Sequence, residues 1–281
     1  MKLVIKIGGA LIQEEDARTP LVLQIGALAA AGHAVALVHG GGAQLTSFLK
    51  RAGIQASFVE GRRVTSPDVL DAAVKVMAGS VNHELLAAFS ALGVRACGIS
   101  GVDGACLLAS RRNGDGPDLG LVGRVERVDA ALLETLTAAG FVPLLAPLGV
   151  ARGGQILNIN ADEAAVACAA GWMADRLIFL TDVPGVRGAA GEVLPELTPA
   201  AIRDLIASGV ATGGMLAKLR SAESALAQGV PEVEIAGGRE PRVLRRLLAG
   251  EPCGTAIRGE QSEQREQREQ REQREQRSKE A

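Results

Sequence analysis

The chain has 281 residues, of which 47% are hydrophobic and 2% aromatic, and its formal net charge at pH 7 is -2. This apolar content is enough for a sizeable core, in one large or two modest domains. A near-neutral chain with one tryptophan and five phenylalanines lacks the basic field and the stacking surfaces of most nucleic-acid-binding proteins. Small-molecule chemistry is therefore the better expectation.

Cysteine usage and apolar run lengths bear on the compartment. The four cysteines are scattered and form no Cys-x-x-Cys pair, which is typical of reduced core residues in a cytosolic protein. No apolar run reaches about 18 residues, and no leader pattern precedes the first predicted strand. These features predict a soluble, cytoplasmic protein.

The first predicted element is a strand in the stretch Lys2–Gly9, which is apolar on both faces, as central parallel strands are. A lysine is rarely buried without a partner, so Lys6 should turn its charge into a cleft at the carboxyl end of the strand. Gly8 and Gly9 leave backbone N–H groups open to an anion. Taken alone, the stretch is explained equally well by a surface lysine beside a turn.

A second strand also ends in glycines. A helix through Ala31 leads to a strand at Ala34–Val38, and Gly40, Gly41 and Gly42 then precede a helix through Lys50. Helix amino termini carry free N–H groups and favour anions. Two such ends side by side in a parallel sheet predict one anion cradle.

The central part of the chain continues the alternation of strands and helices. The segment Phe58–Thr65 should be extended, and the helix that follows, over 68–92, contains Gly79, which suggests close helix approach at a subunit interface. Residues 105–128 predict a peripheral hairpin around the loop 114–117. The other predicted elements here are a strand at 95–99, a helix at 129–139 and a strand at 141–146.

In the last third, Asp162 stands at the start of an alanine-rich helix, where an aspartate is ordinarily a cap or a first-turn residue. Lys218 lies early in a helix that runs to Gln228. Further strands are predicted at 177–180, 233–235 and 255–257, and helices at 199–208 and 242–248. The whole pattern predicts an α/β fold, a three-layer αβα sandwich around a central, mainly parallel sheet. A substrate-binding and dimerisation lobe is expected at 1–172 and a nucleotide lobe at 173–259.

The tail, 260–281, has a different composition. Glu-Gln-Arg repeats five times between Glu263 and Arg277 without an apolar residue. Such a segment has no apolar surface to bury against the entropy cost of ordering. It should be disordered or a marginal helix.

Together the motifs supply two lysines, one aspartate, two glycine turns and Arg63, which is suited to clamping a carboxylate. Phosphoryl transfer depends mainly on positioning and positive charge, because negative charge spreads over the oxygens of the transferred group. Lys6 and Lys218 would donate to those oxygens, and Asp162 would hold the two ammonium groups in place.

Over residues 2–258 the chain resembles the amino acid kinase family, on six motifs taken in combination. They are Lys6-Ile-Gly-Gly9, Val38-His-Gly-Gly-Gly42, Gly61-Arg-Arg-Val-Thr65, Asn158-Ile-Asn-Ala-Asp162, Thr181-Asp-Val-Pro-Gly-Val186 and Gly213-Gly-Met-Leu-Ala-Lys218. The closest resemblance is to members that phosphorylate the γ-carboxylate of N-acetyl-L-glutamate with ATP and Mg²⁺ in arginine biosynthesis. It implies a homodimer, and without a helix before the first strand it implies insensitivity to arginine.

The resemblance also implies roles for individual residues. Lys6 and Lys218 would stabilise the transition state, Asp162 would organise them, and Gly9, Gly41 and Gly42 would donate backbone hydrogen bonds. Arg63 and Asn158, with Gly41 and Gly42, would bind the acceptor. ATP would be held by Lys6, Thr181, Asp182, Val183, Gly185, Gly213, Met215 and Lys218, with Mg²⁺ carried mainly by the nucleotide phosphates and no dedicated metal site.

Three positions depart from the family pattern: Arg62 where leucine is usual, Val102 where lysine is frequent, and Gly237 in place of an aspartate. They leave open a kinase for a related carboxylate, either carrier-bound aminoadipate or N-succinylglutamate. A non-catalytic metabolite-binding regulator of the same fold is a further alternative, although binding alone needs no pair of cations. An esterase would need a Gly-x-Ser-x-Gly elbow, and the candidate fails at Val102.

Overall fold

The computed structural model describes residues 1–59, 61–112 and 117–259. The predictions for the tail 260–281 and for most of the loop 114–117 lie outside these residues. The fourteen strands of the described part are β1 Lys2–Ile7, β2 Ala34–His39, β3 Phe58–Val59, β4 Arg62–Arg63, β5 Ala96–Ser100, β6 Leu107–Arg111, β7 Gly123–Val128, β8 Val142–Ala146, β9 Leu148–Val150, β10 Ile156–Asn158, β11 Arg176–Thr181, β12 Glu196–Leu197, β13 Glu232–Gly237 and β14 Thr255–Arg258.

Helices flank these strands. The α-helices are α1 Gly9–Gln13, α2 Glu15–Ala30, α3 Gly42–Arg51, α4 Pro67–Ala73, α5 Asn82–Ala91, α6 Ala131–Ala138, α7 Ala161–Gly171, α8 Pro199–Ala207, α9 Gly213–Ala227 and α10 Val243–Leu248, with a π-helical segment at Val74–Val81 and a 3₁₀ turn at Asp103–Ala105. None of the helices in the described ranges is long and apolar enough to cross a membrane.

Eight strands form the central sheet, in the order β12-β14-β13-β11-β1-β2-β8-β5. All neighbouring pairs are parallel except β13 and β14, so the predicted mainly parallel sheet is confirmed. The first strand β1 lies between β2 and β11, and the sheet is therefore continuous across residue 172.

Each face of the sheet is covered by its own hydrophobic core. Leu3, Ile5 and Ile7 of β1 pack with the helices of one face, whereas Val4 belongs to the core that contains α7 and α9. Because side chains alternate along a strand, Lys6 shares the face of Val4. This alternation turns the lysine towards α7 and produces the expected three layers.

Two predicted helices differ in the structure. The helix expected from residue 10 to 31 is divided at Glu14, whose backbone is extended, and the Arg18 guanidinium donates to the Ile12 carbonyl at the break (2.9 Å). The helix expected over 68–92 contains the π-helical segment, in which Gly79 has open space beside it. The predicted hairpin is present as β6 and β7, and β9 and β10, which were not predicted, extend it to four strands.

Candidate active site

A cleft of about 360 Å³ opens at the carboxyl ends of β1 and β2, where parallel sheets commonly bind ligands. The β3–β4 hairpin, the first turn of α7 and the two glycine turns form its walls. Six of the residues predicted for the site line it: Lys6, Gly9, Gly41, Gly42, Arg63 and Asn158. The structure therefore brings together segments that are far apart in the chain.

Lys6, Asp162 and Lys218 form a buried charge cluster beside this cleft. Lys6 Nζ lies 2.7 Å from one carboxylate oxygen of Asp162, and Lys218 Nζ lies 3.5 Å from the other. The Lys6 residue is 7% exposed and Asp162 is 9% exposed. Two ammonium groups are thus fixed near each other by one carboxylate.

The Asp162 carboxylate can pair with both lysines because another residue caps α7. The Asn160 side-chain oxygen accepts from the backbone N–H groups of Asp162 (2.9 Å) and Glu163 (3.2 Å) at the start of α7. Asn160 is therefore the cap, and Asp162 is a first-turn residue of α7. Burial opposes ionisation of Asp162, but the charges of Lys6 and Lys218 outweigh it and hold its pKa below the usual range.

Each of the two glycine turns is hydrogen-bonded to the carboxyl end of the neighbouring strand. The Gly8 N–H donates to the Leu180 carbonyl (3.1 Å), and the Gly40 N–H donates to the Ile7 carbonyl (3.3 Å). A side chain at Gly41 would approach Met77 to 3.2 Å, so the turn passes close to the π-helical segment. Gly41 precedes α3, whose first N–H groups have no carbonyl partner within the helix.

His39, the last residue of β2, is hydrogen-bonded to the second glycine turn. It was not predicted as a site residue. Asn82 Nδ2, a donor, lies 3.0 Å from His39 Nε2 and 2.9 Å from the Leu144 carbonyl. Nε2 must therefore accept, which leaves the proton on Nδ1, 2.7 Å from the Gly40 carbonyl. Burial lowers the pKa of His39 to about 4, although its bond to the Gly40 carbonyl acts in the opposite direction. The imidazole is neutral at pH 7.

Arg63 lies on the cleft wall with one end of its guanidinium satisfied. Its Nη2 donates to Thr46 Oγ1 (2.7 Å) and to the Gly42 carbonyl (3.1 Å), and the guanidinium stacks on the Phe58 ring at 4.5 Å. Nη1 is buried and has no hydrogen-bond partner among the described residues. Burial lowers the Arg63 pKa. A buried, unsatisfied donor is costly, and an anionic ligand would satisfy it.

Asn158 ends β10 on the same wall. Its Nδ2 donates to Thr65 Oγ1 (3.0 Å), and the Thr65 hydroxyl donates to the Arg63 carbonyl (2.8 Å). Thr65 and Phe58 were not predicted to support the site. Phe58 had a detectable signal, since an aromatic residue close to two arginines is conspicuous in a chain with so few aromatics.

The residues predicted to hold ATP follow β11 and begin α9. Thr181 ends β11, and its hydroxyl donates to Asp182 (3.0 Å). The loop is anchored where the Val186 N–H donates to Thr255 Oγ1 (2.9 Å), and a side chain at Gly185 would approach that hydroxyl to 2.9 Å. The Val183 carbonyl packs near Gly237, Gly213 has a φ of 53°, and Met215 packs against the core. Asp182 lines a different cavity, of about 540 Å³.

No group of three or more His, Cys, Asp or Glu side chains that could hold a metal ion occurs within the described ranges. Two of the cationic side chains, Lys6 and Lys218, are arranged around the Asp162 carboxylate. An anionic group entering the cleft would meet Lys6, the glycine turns and Arg63, with Lys218 held beside the cleft by Asp162. This arrangement suits the binding of a carboxylate next to a phosphate chain.

Known proteins are similar to this chain over most of its length. A family model described as "Amino acid kinase family" matches residues 1–237. The acetylglutamate kinase of Solibacter usitatus is 53% identical over 257 residues, 92% of this chain and 99% of that protein. The Streptococcus mutans protein smu.665 shares 30% identity at a TM-score of 0.79, covering 92% of this chain and 98% of its own.

The N-acetylglutamate synthase of Neisseria gonorrhoeae, solved with coenzyme A and N-acetyl-glutamate, shares the fold at a TM-score of 0.81 and 27% identity. The match covers 92% of this chain but 59% of the synthase. The family match covers most of the chain, and the Solibacter relative is 53% identical to it. Both observations point to the same family. The chain belongs to the amino acid kinase family.

Proposed function

We propose that the protein transfers the γ-phosphoryl group of ATP to the γ-carboxylate of N-acetyl-L-glutamate, a step of arginine biosynthesis. The observation that carries the proposal is the Lys6–Asp162–Lys218 cluster next to a cleft with an unsatisfied arginine. The names of relatives such as the Solibacter acetylglutamate kinase support this acceptor. Carrier-bound aminoadipate and N-succinylglutamate are the competing acceptors.

In this mechanism the carboxylate oxygen of the acceptor attacks the γ-phosphorus and the bond to the β-phosphate oxygen breaks. Negative charge spreads over the oxygens in transit, and Lys6 and Lys218 donate hydrogen bonds to them. Asp162 accepts no proton; it keeps both ammonium groups oriented. Bound Mg²⁺ would neutralise phosphate charge, held mainly by the nucleotide itself.

The acceptor would lie between the β3–β4 hairpin and α3. The free Nη1 of Arg63 suits its α-carboxylate, because that donor is buried and unpaired. Asn158 would bind the acetylamino group. Backbone N–H groups at Gly9, Gly41 and Gly42 would contact the reacting oxygens.

For the donor, we infer that ATP binds along Thr181–Gly185 and the start of α9, with Gly213, Met215 and Lys218 in contact. The two lobes would then bind different substrates: residues 1–172 the acyl amino acid and residues 173–259 ATP. Gly213 has a left-handed backbone conformation at the start of α9, which glycine adopts without strain. The missing side chain leaves the backbone there open to a ligand, which supports this site.

A coupled assay of ADP formation tests the proposal with a panel of acceptors: N-acetyl-L-glutamate, N-succinylglutamate, aspartate and carrier-bound aminoadipate. We expect turnover to be fastest with N-acetyl-L-glutamate. A faster reaction with another panel member would replace the acceptor. No turnover with any member would refute the kinase proposal.

Replacing Arg63 by lysine should raise the KM for N-acetyl-L-glutamate about tenfold and change kcat little. Lysine keeps the charge but loses the planar fork that leaves Nη1 for the substrate, a loss of about 1.4 kcal/mol. Steady-state kinetics measure both constants. Arg51→Lys on the exposed end of α3 serves as the control. An unchanged KM in Arg63→Lys would remove Arg63 from the acceptor site.

We also propose a homodimer joined mainly through the amino-terminal half, with ATP and the acceptor as the small-molecule partners. Sedimentation should give twice the 28.9 kDa chain mass. Gly79→Arg should shift the protein to monomers, since Gly79 has open space beside it and a partner would meet the new side chain. Gly153→Arg, also in open space, should remain a dimer. A hexamer or a wild-type monomer would contradict the proposal.

A further inference from the structure

A second cavity, of about 380 Å³, opens between α7, α9 and β7, next to the substrate cleft. Its charged lining consists of Arg62, Arg112, Arg124, Arg220 and Glu163. Arg62 and Asn160 line both this cavity and the cleft. The function proposed above uses none of the four arginines.

Glu163 serves two of these arginines. Arg62 Nη2 lies 2.8 Å from one of its oxygens, and Arg112 Nη2 lies 2.6 Å from the other. Within the described residues, Glu163 therefore joins β4 to the end of β6 through two guanidinium groups. Arg112 Nε is buried and has no hydrogen-bond partner within the part of the chain that the structure describes, so this donor in the wall is open to a ligand.

Arg124 on β7 and Arg220 on α9 complete the rim from opposite sides. Both are exposed, and neither forms an ion pair with any residue in the ranges that the structure describes. Between them the lining includes Ser221, Ser224 and Gln228, which offer neutral hydrogen bonds. Val125 and Val166 add apolar surface. A ligand that suits this lining combines anionic groups with an organic body.

We propose that this cavity, which we call the arginine pocket, binds a small organic polyanion, a metabolite that carries two or more phosphate or carboxylate groups. Guanidinium groups bind both anions through paired N–H donors. Arg124 and Arg220 form no ion pair within the described ranges, so a polyanion between them would gain two guanidinium partners. It would also accept from Arg112 Nε.

The arginine pocket is coupled to the cleft through Arg62, which precedes Arg63 in β4. A polyanion that bridges Arg62, Arg124 and Arg220 ties the β3–β4 hairpin to β7 and α9. The hairpin then loses less conformational freedom when acceptor binds, which lowers the KM for the acceptor. This coupling rests on the proposed function, whereas anion binding does not.

Isothermal titration of the full chain with pyrophosphate and, separately, with citrate tests the binding. We expect at least one probe to bind, with a Kd at least tenfold higher in Arg124→Ser/Arg220→Ser. Arg51→Ser/Arg152→Ser, which removes the same charge elsewhere on the surface, should keep the wild-type Kd. Lys6→Ala should also keep it, because that lysine belongs to the cleft.

The probes distinguish the sources: binding of pyrophosphate alone identifies phosphorylated ligands, and binding of citrate alone identifies polycarboxylates. If neither probe binds, the site is overturned. An equal Kd in Arg124→Ser/Arg220→Ser, or loss of binding in a Lys6→Ala variant shown to be folded, also overturns it. In the kinase assay the bound probe should lower the acceptor KM at least twofold in the wild type and not in Arg124→Ser/Arg220→Ser. An unchanged wild-type KM refutes the coupling and leaves the binding result standing.

Discussion

Lys6→Ala and Lys218→Ala should each lower kcat by on the order of 10² or more, as does the loss of one preorganised donor to a developing oxyanion. Each lysine is held against Asp162, so its ammonium group is already oriented before the phosphoryl group moves. An interaction made mainly in the transition state affects kcat more than KM. Stopped assays at saturating ATP and acceptor measure the effect.

The controls for these variants address charge and stability. Lys75→Ala removes an exposed lysine that pairs with Asp71 across one helical turn, and its kcat should equal that of the wild type. Losing one partner of a buried charge costs about 3 kcal/mol or more, so urea unfolding must show that the Lys6 and Lys218 variants are folded in the assay. Folded variants with wild-type kcat would exclude the lysines from catalysis.

The free energy of unfolding should fall by about 3 kcal/mol between pH 6.5 and pH 4 because of His39 alone. Its pKa is lowered from 6.5 to about 4 in the folded state, chiefly by burial, and each pKa unit is worth about 1.36 kcal/mol. The unfolded state binds more protons within this window, so stability is fully present above pH 6.5 and is lost as the pH falls towards 4. Urea titrations at several pH values measure the loss.

Variants separate this effect from the general loss of stability in acid. His39→Gln should flatten the pH dependence by that amount, whereas His83→Gln, at an exposed position, should retain the wild-type slope. A wild-type slope in His39→Gln would contradict the assignment. Since burial lowers the pKa of His39 to about 4, NMR titration of its imidazole should show a neutral ring at pH 5.

Elements with a strong local pattern were predictable. Three features are each specified within a few residues: the apolar stretch of β1, the glycines after β1 and β2, and the alternation of strands and helices. Hydrophobic periodicity, backbone conformational entropy and turn chemistry are local properties of the sequence. The predicted sheet and its three layers are confirmed. The candidate residues Lys6, Arg63 and Asn158 also line one cleft. Their roles there remain predictions.

Short-range patterns did not reveal which partner each polar group would find. Asn160 and Asp162 are both residue types that cap helices; Asn160 is the cap, whereas the Asp162 carboxylate pairs with Lys6 and Lys218, from β1 and α9. The tautomer of His39 is set by Asn82, which lies 43 residues away. The short strands β9 and β10 are held by contacts with the hairpin. The convergence of Arg62, Arg112, Arg124 and Arg220 likewise appears only in three dimensions.

The amino-acid sequence alone was sufficient for the layered α/β architecture, since the alternation of strands and helices is encoded in local spacing. The tertiary structure decided which charges are paired and which residue caps α7. It also decided which donors of Arg63 and Arg112 have no partner among the described residues. Those properties depend on burial and on groups brought together from distant parts of the chain. Electrostatic energies vary steeply with distance and dielectric environment, so only the folded arrangement sets them.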